Sequence, residues 1–198
     1  MKKTKKKITP FSKLSKPQQR VRIAKDVLLQ LKKKKYIAAE GAYINNTDLM
    51  FYSGLSSSDD IQKNFSKIHE CRCCALGSCL LSITKFKNTL NVGDVMGKYN
   101  FLQKSKKLFK MFSPKQLLLI ENSFEGRPSS DTMTRVGNKV FGANTTRKEN
   151  IECMAFYYKY PNSNSRLIAI MKNIVANKGS LHFKIKTIKK TLYHEKTI

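Results

Sequence analysis

The apolar block Cys73–Phe86 sets the architecture open to this chain. Its positions are apolar or small almost throughout, so a helix formed here would be buried on every side. The block is shorter than the roughly 18–20 residues that cross a bilayer. Its small residues would let a neighbouring helix approach closely; they are Ala75, Gly77, Ser78 and Cys79. The sequence therefore predicts a mainly α fold, a compact bundle of six or seven helices around a buried Cys/Ala/Leu-rich central helix.

Capping residues and apolar spacing predict the helices around the central one. Ser15 and Ser113 each precede a first-turn proline, and Thr146 with Glu149 matches a capping box. The predicted helices cover about 16–34, 59–69, 113–126, 146–160 and 166–177, and a short helix over 131–141 fits the same pattern. The predicted buried face of the helix after Thr146 is Ile151, Met154, Ala155 and Tyr158.

Extended structure is predicted to be minor. Residues 36–44 indicate short extended pieces around Gly41. Residues 181–188 alternate apolar and polar side chains, which predicts a half-buried edge strand with a lysine face. Residues 1–14 are rich in lysine and poor in apolar residues, so we expect a flexible basic arm there and a single domain over 15–198.

The positive charge is concentrated at the two ends of the chain. The 198 residues carry 39 Lys+Arg against 13 Asp+Glu, a net charge of +26. Residues 1–35 hold 14 basic residues and one acidic, and residues 178–198 hold six lysines and one acidic. Basic ends of this kind neutralise phosphates and bind nucleic acid without reading its sequence. The candidate nucleic-acid-binding residues are Lys2, Lys3, Lys5, Lys6, Lys7, Lys32, Lys33, Lys34, Lys35, Lys106 and Lys107.

Other interpretations of this charge stay open. Lysine outnumbers arginine 32 to 7, which disfavours base readout by bidentate arginine and also fits the codon bias of an AT-rich genome. Lysine and phenylalanine interleave over 106–112, which is a pattern found in proteins that bind single strands. The same pattern also arises when Phe109 and Phe112 enter the core while the lysines reach solvent. An acidic protein or an anionic membrane surface would attract the same charge.

The cysteines form one local cluster, His69-x-Cys71-x-Cys73-Cys74 followed by Cys79. A zinc site would use His69, Cys71 and Cys74, and a redox pair would use Cys71 and Cys74 at a helix N-terminus, where the dipole lowers a thiol pKa. Structural zinc usually needs a second pair of ligands, which is absent. Buried structural thiols are therefore the favoured interpretation, and the odd number of cysteines argues against a disulfide framework.

The sequence offers no recognisable catalytic motif. It lacks the glycine-rich phosphate loops, H-E-x-x-H and G-x-S-x-G. Nothing places Cys79 and His69 together as nucleophile and base. Glu121 and Glu125 lie one helical turn apart on the polar side of their helix, which is typical of a solvated acidic face. We therefore expect a protein that is not an enzyme and that has no cofactor, zinc being the one alternative.

Three segments resemble a known group of proteins: Arg22–Leu28, Cys71–Ser78, and Arg166–Gly179 with its "R-L-x-x-I-M-x-N-I" pattern. In that order they are similar to small uncharacterised proteins of tailed phages and prophages, whose helices carry "C-x-x-C-A-x-G" and "R-L-x-x-I-M-x-N-I". The resemblance implies a phage origin and no particular activity.

Charge and resemblance together predict a phage-type accessory protein that binds nucleic acid or a nucleoprotein complex through its basic termini, without sequence specificity. One alternative is a protein–protein inhibitor of a host machine, or a structural virion component. A second is a small zinc-stabilised module. The expected location is the host-cell cytoplasm or the virion, with no membrane span.

Overall fold

The computed structural model describes residues 9–41, 43–45, 70–87, 106–126 and 142–183. These residues are mainly helical, which confirms the predicted fold class. The helices are α1 (Lys16–Lys32), α2 (Ala75–Lys87), α3 (Lys106–Met111), α4 (Pro114–Glu125), α5 (Arg147–Lys159) and α6 (Ser163–Ala176). The strands are β1 (Tyr36–Ala38), β2 (Ile44–Asn45) and β3 (Cys71–Cys73), and a 3-10 helix covers Phe11–Lys13. Within these ranges, none of the helices combines the length and apolar character of a membrane span.

Helix α2 lies at the centre of the fold, as predicted. Every residue from Ala75 to Thr84 is buried, and α1, α3 and α4 pack around it. The predicted start of this helix is wrong, because Cys73 belongs to β3 and α2 begins at Ala75. Cys71 and Cys73 are buried on either side of exposed Arg72, which is the two-residue period of a strand.

The extended pieces predicted over 36–44 are confirmed as β1 and β2, which flank β3 in one small sheet. Strand β1 runs parallel to β3 and β2 runs antiparallel to it. The turn between them uses Gly41 at φ +69°. A Cβ on Gly77 would lie 1.8 Å from the carbonyl oxygen of Tyr43. This glycine therefore makes room for the backbone that enters β2, whereas the sequence predicted that it would make room for a neighbouring helix.

Helices α1 and α6 pack antiparallel to each other. At one end, Arg20 Nε donates to the Gly179 carbonyl at 2.6 Å; at the other, the Ala38 amide of β1 donates to Asn164 Oδ1 at 2.9 Å. A Cβ on Gly179, which has φ +100°, would lie 2.5 Å from the Pro17 carbonyl oxygen. Helix α6 begins three residues earlier than predicted because Asn162 caps it.

The helix starts predicted from capping residues are confirmed in α1, α4 and α5. The Ser113 hydroxyl accepts from the Gln116 amide, Gly126 ends α4 in the left-handed region, and Thr146 with Glu149 closes a capping box. The predicted buried face of α5 is wrong. Its buried residues are Asn150 and Cys153, whereas Ile151 and Tyr158 are 54% and 72% exposed and Met154 and Ala155 are half-buried.

The face of α5 is set by close packing against α4. The Cys153 thiol lies 3.8 Å from the Leu119 carbonyl oxygen, so a small residue stands where the two helices approach. Apolar residues occur almost all round α5, and their spacing alone therefore did not distinguish the inner face from the outer one.

The two ends of the described chain also differ from expectation. Phe11, inside the predicted flexible arm, is buried and stacks on Phe86 with ring centroids 4.8 Å apart. Residues 181–183 are not a strand, because side chains bind their backbone: Gln116 Oε1 accepts from the Leu181 amide at 2.6 Å. The helices predicted over 59–69 and 131–141, and residues 184–188 of the predicted strand, lie outside the described residues. The extent of the single domain stays a prediction.

Candidate nucleic-acid interface

Four lysines from three helices form a cluster that we call the lysine patch: Lys16, Lys87, Lys107 and Lys110. Lys16 is the first residue of α1, Lys87 is the last of α2, and the other two lie one turn apart on α3. Partial burial lowers the pKa of the Lys87 ammonium, and the charges of its three neighbours lower it further. Among the described residues, the charges acting on Lys87 are therefore all positive.

Packing of apolar side chains brings these three helices together. Leu108 and Met111 of α3 are buried, which directs Lys107 and Lys110 to a different face of that helix. Phe86 holds the end of α2 against the 3-10 helix by stacking on Phe11. The lysine patch is therefore held on a packed scaffold.

Neighbouring Arg20 has a structural role. Its Nη1 donates to the Met111 carbonyl at 3.0 Å and its Nε donates to the Gly179 carbonyl, which joins α1, α3 and the end of α6. Burial lowers the pKa of the Arg20 guanidinium. Because these donors already have partners, we do not count Arg20 in the lysine patch.

The position of Lys16 is unfavourable for the fold. The N-terminus of a helix carries a partial positive charge, so a cation in the first turn is destabilising. Ser15 already caps α1, and its amide donates to Gln18 Oε1 at 2.9 Å. Lys16 therefore adds repulsion without satisfying a backbone group, and a negatively charged ligand would relieve that repulsion.

The predicted lysines at the other end of α1 form a separate group. Sixteen residues of helix place Lys32 about 24 Å along the axis from Lys16. Lys32, Lys33 and Lys34 are exposed and Lys35 is half-buried. Lys34 has φ +57°, and the amides of Lys34 and Lys35 donate to the Leu31 and Gln30 carbonyls, so this group also forms the C-terminal cap of α1.

The remaining predicted lysines are placed only in part. Lys106 lies in α3, its side chain outside the described atoms, and Lys107 belongs to the lysine patch. Lys2, Lys3, Lys5, Lys6 and Lys7 lie outside the described residues. They join the described chain at Thr9, whose carbonyl accepts from Arg22 Nη1 at 2.6 Å near the Lys16 end of α1.

The cysteines are buried free thiols, as favoured from the sequence. Cys74 Sγ accepts from the Gly77 amide at the start of α2, yet burial raises the pKa of this thiol far above its ordinary value. The expected lowering by the helix dipole is therefore wrong for Cys74, because desolvation outweighs the dipole. Burial also raises the pKa of Cys79 to about 12 and that of Cys153 to about 11.

The zinc alternative is tested only in part. His69 lies outside the described residues, so its distance from Cys71 and Cys74 is not defined. In the described part of the chain, no three His, Cys, Asp or Glu side chains are grouped so that they could hold a metal ion. Zinc binding by His69, Cys71 and Cys74 therefore stays a prediction without support from the described geometry.

Glu121 and Glu125 do not form the solvated acidic face expected from the sequence. Glu121 is 8% exposed, and burial together with the nearby Glu125 raises the pKa of its carboxyl to about 8. Burial raises the pKa of Glu125 to about 7, although its carboxylate accepts from the Gly41 amide at 2.9 Å. Helix α4 turns this face toward α2 and the turn between β1 and β2, which desolvates both carboxyls.

Arg166, which is 1% exposed, lies beside this acidic pair. Its guanidinium donates to Glu40 Oε1 and to the carbonyls of Phe124, Tyr160 and Pro161 at 2.6–2.9 Å. It also stacks 3.7 Å from the centroid of the Tyr157 ring. These contacts join the β1–β2 turn to α4, α5 and α6, so we interpret Arg166 as a structural brace.

No protein family, curated protein or solved structure matches this chain. Its function is therefore inferred from its own side chains. The lysine patch is a group of described residues in which like charges from three helices act on one another. Sequence reasoning missed three of its four members, because they are far apart in the chain; the spacing of Lys107 and Lys110 within 106–112 was the one local signal.

Proposed function

We propose that this protein binds the phosphate backbone of nucleic acid, without sequence specificity, through the lysine patch. The observation that carries the proposal is the convergence of Lys16, Lys107 and Lys110 on Lys87 from three helices that pack together, and the lowered pKa of Lys87 agrees with it. Like charges held together on a packed scaffold cost free energy in the unbound protein. An array of phosphates removes that cost and releases condensed counterions on binding.

The residue types in the lysine patch suit phosphate contacts. Lysine acts as a point charge that binds phosphate without the bidentate geometry by which arginine reads guanine. Contacts of this kind position a protein on nucleic acid and carry no sequence information. The N-terminal lysines that join the chain at Thr9 would add contacts near the same end of α1.

The phage context implied by the resemblance is part of this proposal. An accessory role in the host cytoplasm or in the virion, on nucleic acid or a nucleoprotein complex, agrees with a site that reads only phosphate. Lys32–Lys35 lie about 24 Å away along α1 and form a basic group separate from the lysine patch.

The test compares two triple variants with the same change in net charge. K87A/K107A/K110A removes three members of the lysine patch, and K32A/K33A/K34A removes three lysines from the other end of α1. The affinity of each for a 20-base-pair DNA duplex is measured by fluorescence anisotropy over a series of salt concentrations. Losing three phosphate contacts reduces the slope of log K against log salt by about 2.7, at roughly 0.9 per contact.

We expect that reduction for the lysine-patch variant and a reduction of less than about 1 for the control. Circular dichroism confirms that each variant is folded. Equal slopes for the two variants would mean that only total charge matters, and the lysine patch would then not be the binding site.

A further inference from the structure

A groove of about 720 Å³ runs between α1 and the C-terminal end of α6. Its apolar floor includes Pro17, Val21 and Val175, and its rim carries Arg22, Lys25 and Lys178. The volume lies in the range of ligand-binding clefts, and no carboxylate is among the described residues that line the groove.

The α1 residues of the groove lie along one face of that helix. Pro17, Val21 and Lys25 are spaced four residues apart, so they extend over about 12 Å of the helix axis. Val21 and Val175 are half-buried, and Lys25 and Lys178 are exposed. A ligand in this groove would therefore cover aliphatic side chains while placing negative groups beside the two lysines.

Arg22 has a fixed place on the rim. Its Nη1 donates to the Thr9 carbonyl at 2.6 Å, and its guanidinium lies 5.3 Å from the centroid of the Phe86 ring. These contacts hold its charge beside the floor, so the groove stays cationic without any rearrangement.

We infer that this groove binds an acidic segment of a partner protein, with aliphatic side chains placed between its carboxylates. The rim attracts carboxylates, and the floor offers aliphatic contacts that a nucleic-acid backbone cannot fill. The two ends of this chain are not suitable occupants of the groove, because they are basic like its rim. Residues 1–8 carry five lysines and no acid, and residues 184–198 carry five lysines and one acid. Binding of a second copy of this chain in the groove is also unfavourable, because each copy has a net charge of +26 and the two copies repel each other.

The test uses a fluorescein-labelled peptide of ten residues in which single leucines are separated by pairs of glutamates. One control peptide replaces each leucine by glycine at the same charge, and another replaces each glutamate by glutamine. The protein variants are K25E/K178E in the groove and K33E/K34E at the far end of α1, which change the net charge equally. Arg22 is left unchanged because it also packs against Phe86.

We expect the acidic leucine peptide to bind in a 1:1 complex and K25E/K178E to weaken it at least about tenfold. K33E/K34E should change the affinity less than about threefold, and both control peptides should bind at least about tenfold more weakly. Equal binding of the leucine and glycine peptides, or equal losses in the two variants, would overturn the proposal, because binding would then follow net charge alone.

Failure here is distinguishable from failure of nucleic-acid binding. The variant K87A/K107A/K110A should keep its affinity for the peptide, since none of its changes lies in the groove. K25E/K178E should lower the slope of duplex binding against salt no more than K33E/K34E does. If the lysine-patch variant also lost the peptide, the groove would not be a separate site.

Discussion

Replacing Glu121 by glutamine should stabilise this protein at neutral and alkaline pH. Glu121 is buried on the inner face of α4. Burial raises the pKa of its carboxyl, and the nearby Glu125 raises it further. Glutamine has nearly the same shape and carries no charge at any pH. The substitution therefore removes the cost of ionising a buried carboxyl while preserving the packing around it.

The size of the effect follows from the pKa in the two states. The carboxyl has an ordinary pKa of 4.5 and a pKa of about 8 in the folded protein. Between these values the folded protein holds a proton that the unfolded chain has released, so stability falls as pH rises. The loss is about 1.4 kcal/mol per pH unit, or about 3 kcal/mol by pH 7. Glu125, with a pKa raised to about 7, adds a loss in the same direction.

The assay is urea unfolding at pH 5 and at pH 8. We expect E121Q to match the wild type within about 1 kcal/mol at pH 5 and to exceed it by about 4 kcal/mol at pH 8. E149Q is the matched control. Slight burial raises the pKa of Glu149, but the Thr146 amide and the Lys115 ammonium lower it by more, so this variant should be less stable than wild type at pH 8. An E121Q variant no more stable than wild type at pH 8 would show that Glu121 is not held in a desolvated site.

Three further substitutions test other parts of the account. Lys16→Glu should raise the free energy of unfolding by about 0.3–1 kcal/mol, because a negative charge suits the helix N-terminus. The same substitution should weaken duplex binding measured by anisotropy. Loss of both stability and duplex binding would contradict a functional role for Lys16. Lys34→Gly should stabilise by about 0.5–1 kcal/mol in thermal unfolding because φ is +57°, whereas Lys33→Gly should not. Arg166→Met should destabilise by about 3–5 kcal/mol in urea, because the carbonyls of Phe124, Tyr160 and Pro161 all lose their donors; a neutral effect would contradict the structural brace.

Local rules predicted the helices that carry their own start and stop signals. Ser113, Pro114 and Gly126 bound α4 as expected, and the capping box at Thr146 begins α5. The apolar block predicted a buried central helix, because almost no residue in it suits solvent. These features depend on residues within one or two turns of each other, which a sequence shows directly.

The predictions that were wrong concern contacts between segments that are distant in the sequence. Strand β3 exists because β1 and β2 pair with both of its edges, and a three-residue strand has almost no period of its own. Glu121 looked solvated because the apolar spacing of its helix put it on the polar side, whereas in the fold it lies near Tyr43 and Cys74. Residues 181–183 alternate like a strand, but Gln116 and Asn173 bind their backbone instead.

The candidate site shows the same division. Charge counting located basic segments at the two ends of the chain, and the lysine–phenylalanine segment 106–112 supplied Lys107, which alone among the candidate lysines lies in the lysine patch. Lys16, Lys87 and Lys110 are brought together by the packing of α1, α2 and α3, which no local pattern encodes.

The pKa of the Lys87 ammonium is the most direct test of the proposed function. Heteronuclear NMR of labelled lysine side chains measures this pKa in the free protein and in the presence of a saturating DNA duplex. Burial and three nearby lysines lower the pKa in the free protein, and phosphates beside the group should raise it again. We predict a pKa below 10.5 without DNA and an upward shift when the duplex binds. A pKa that stays unchanged when the duplex is bound would contradict phosphate binding at the lysine patch.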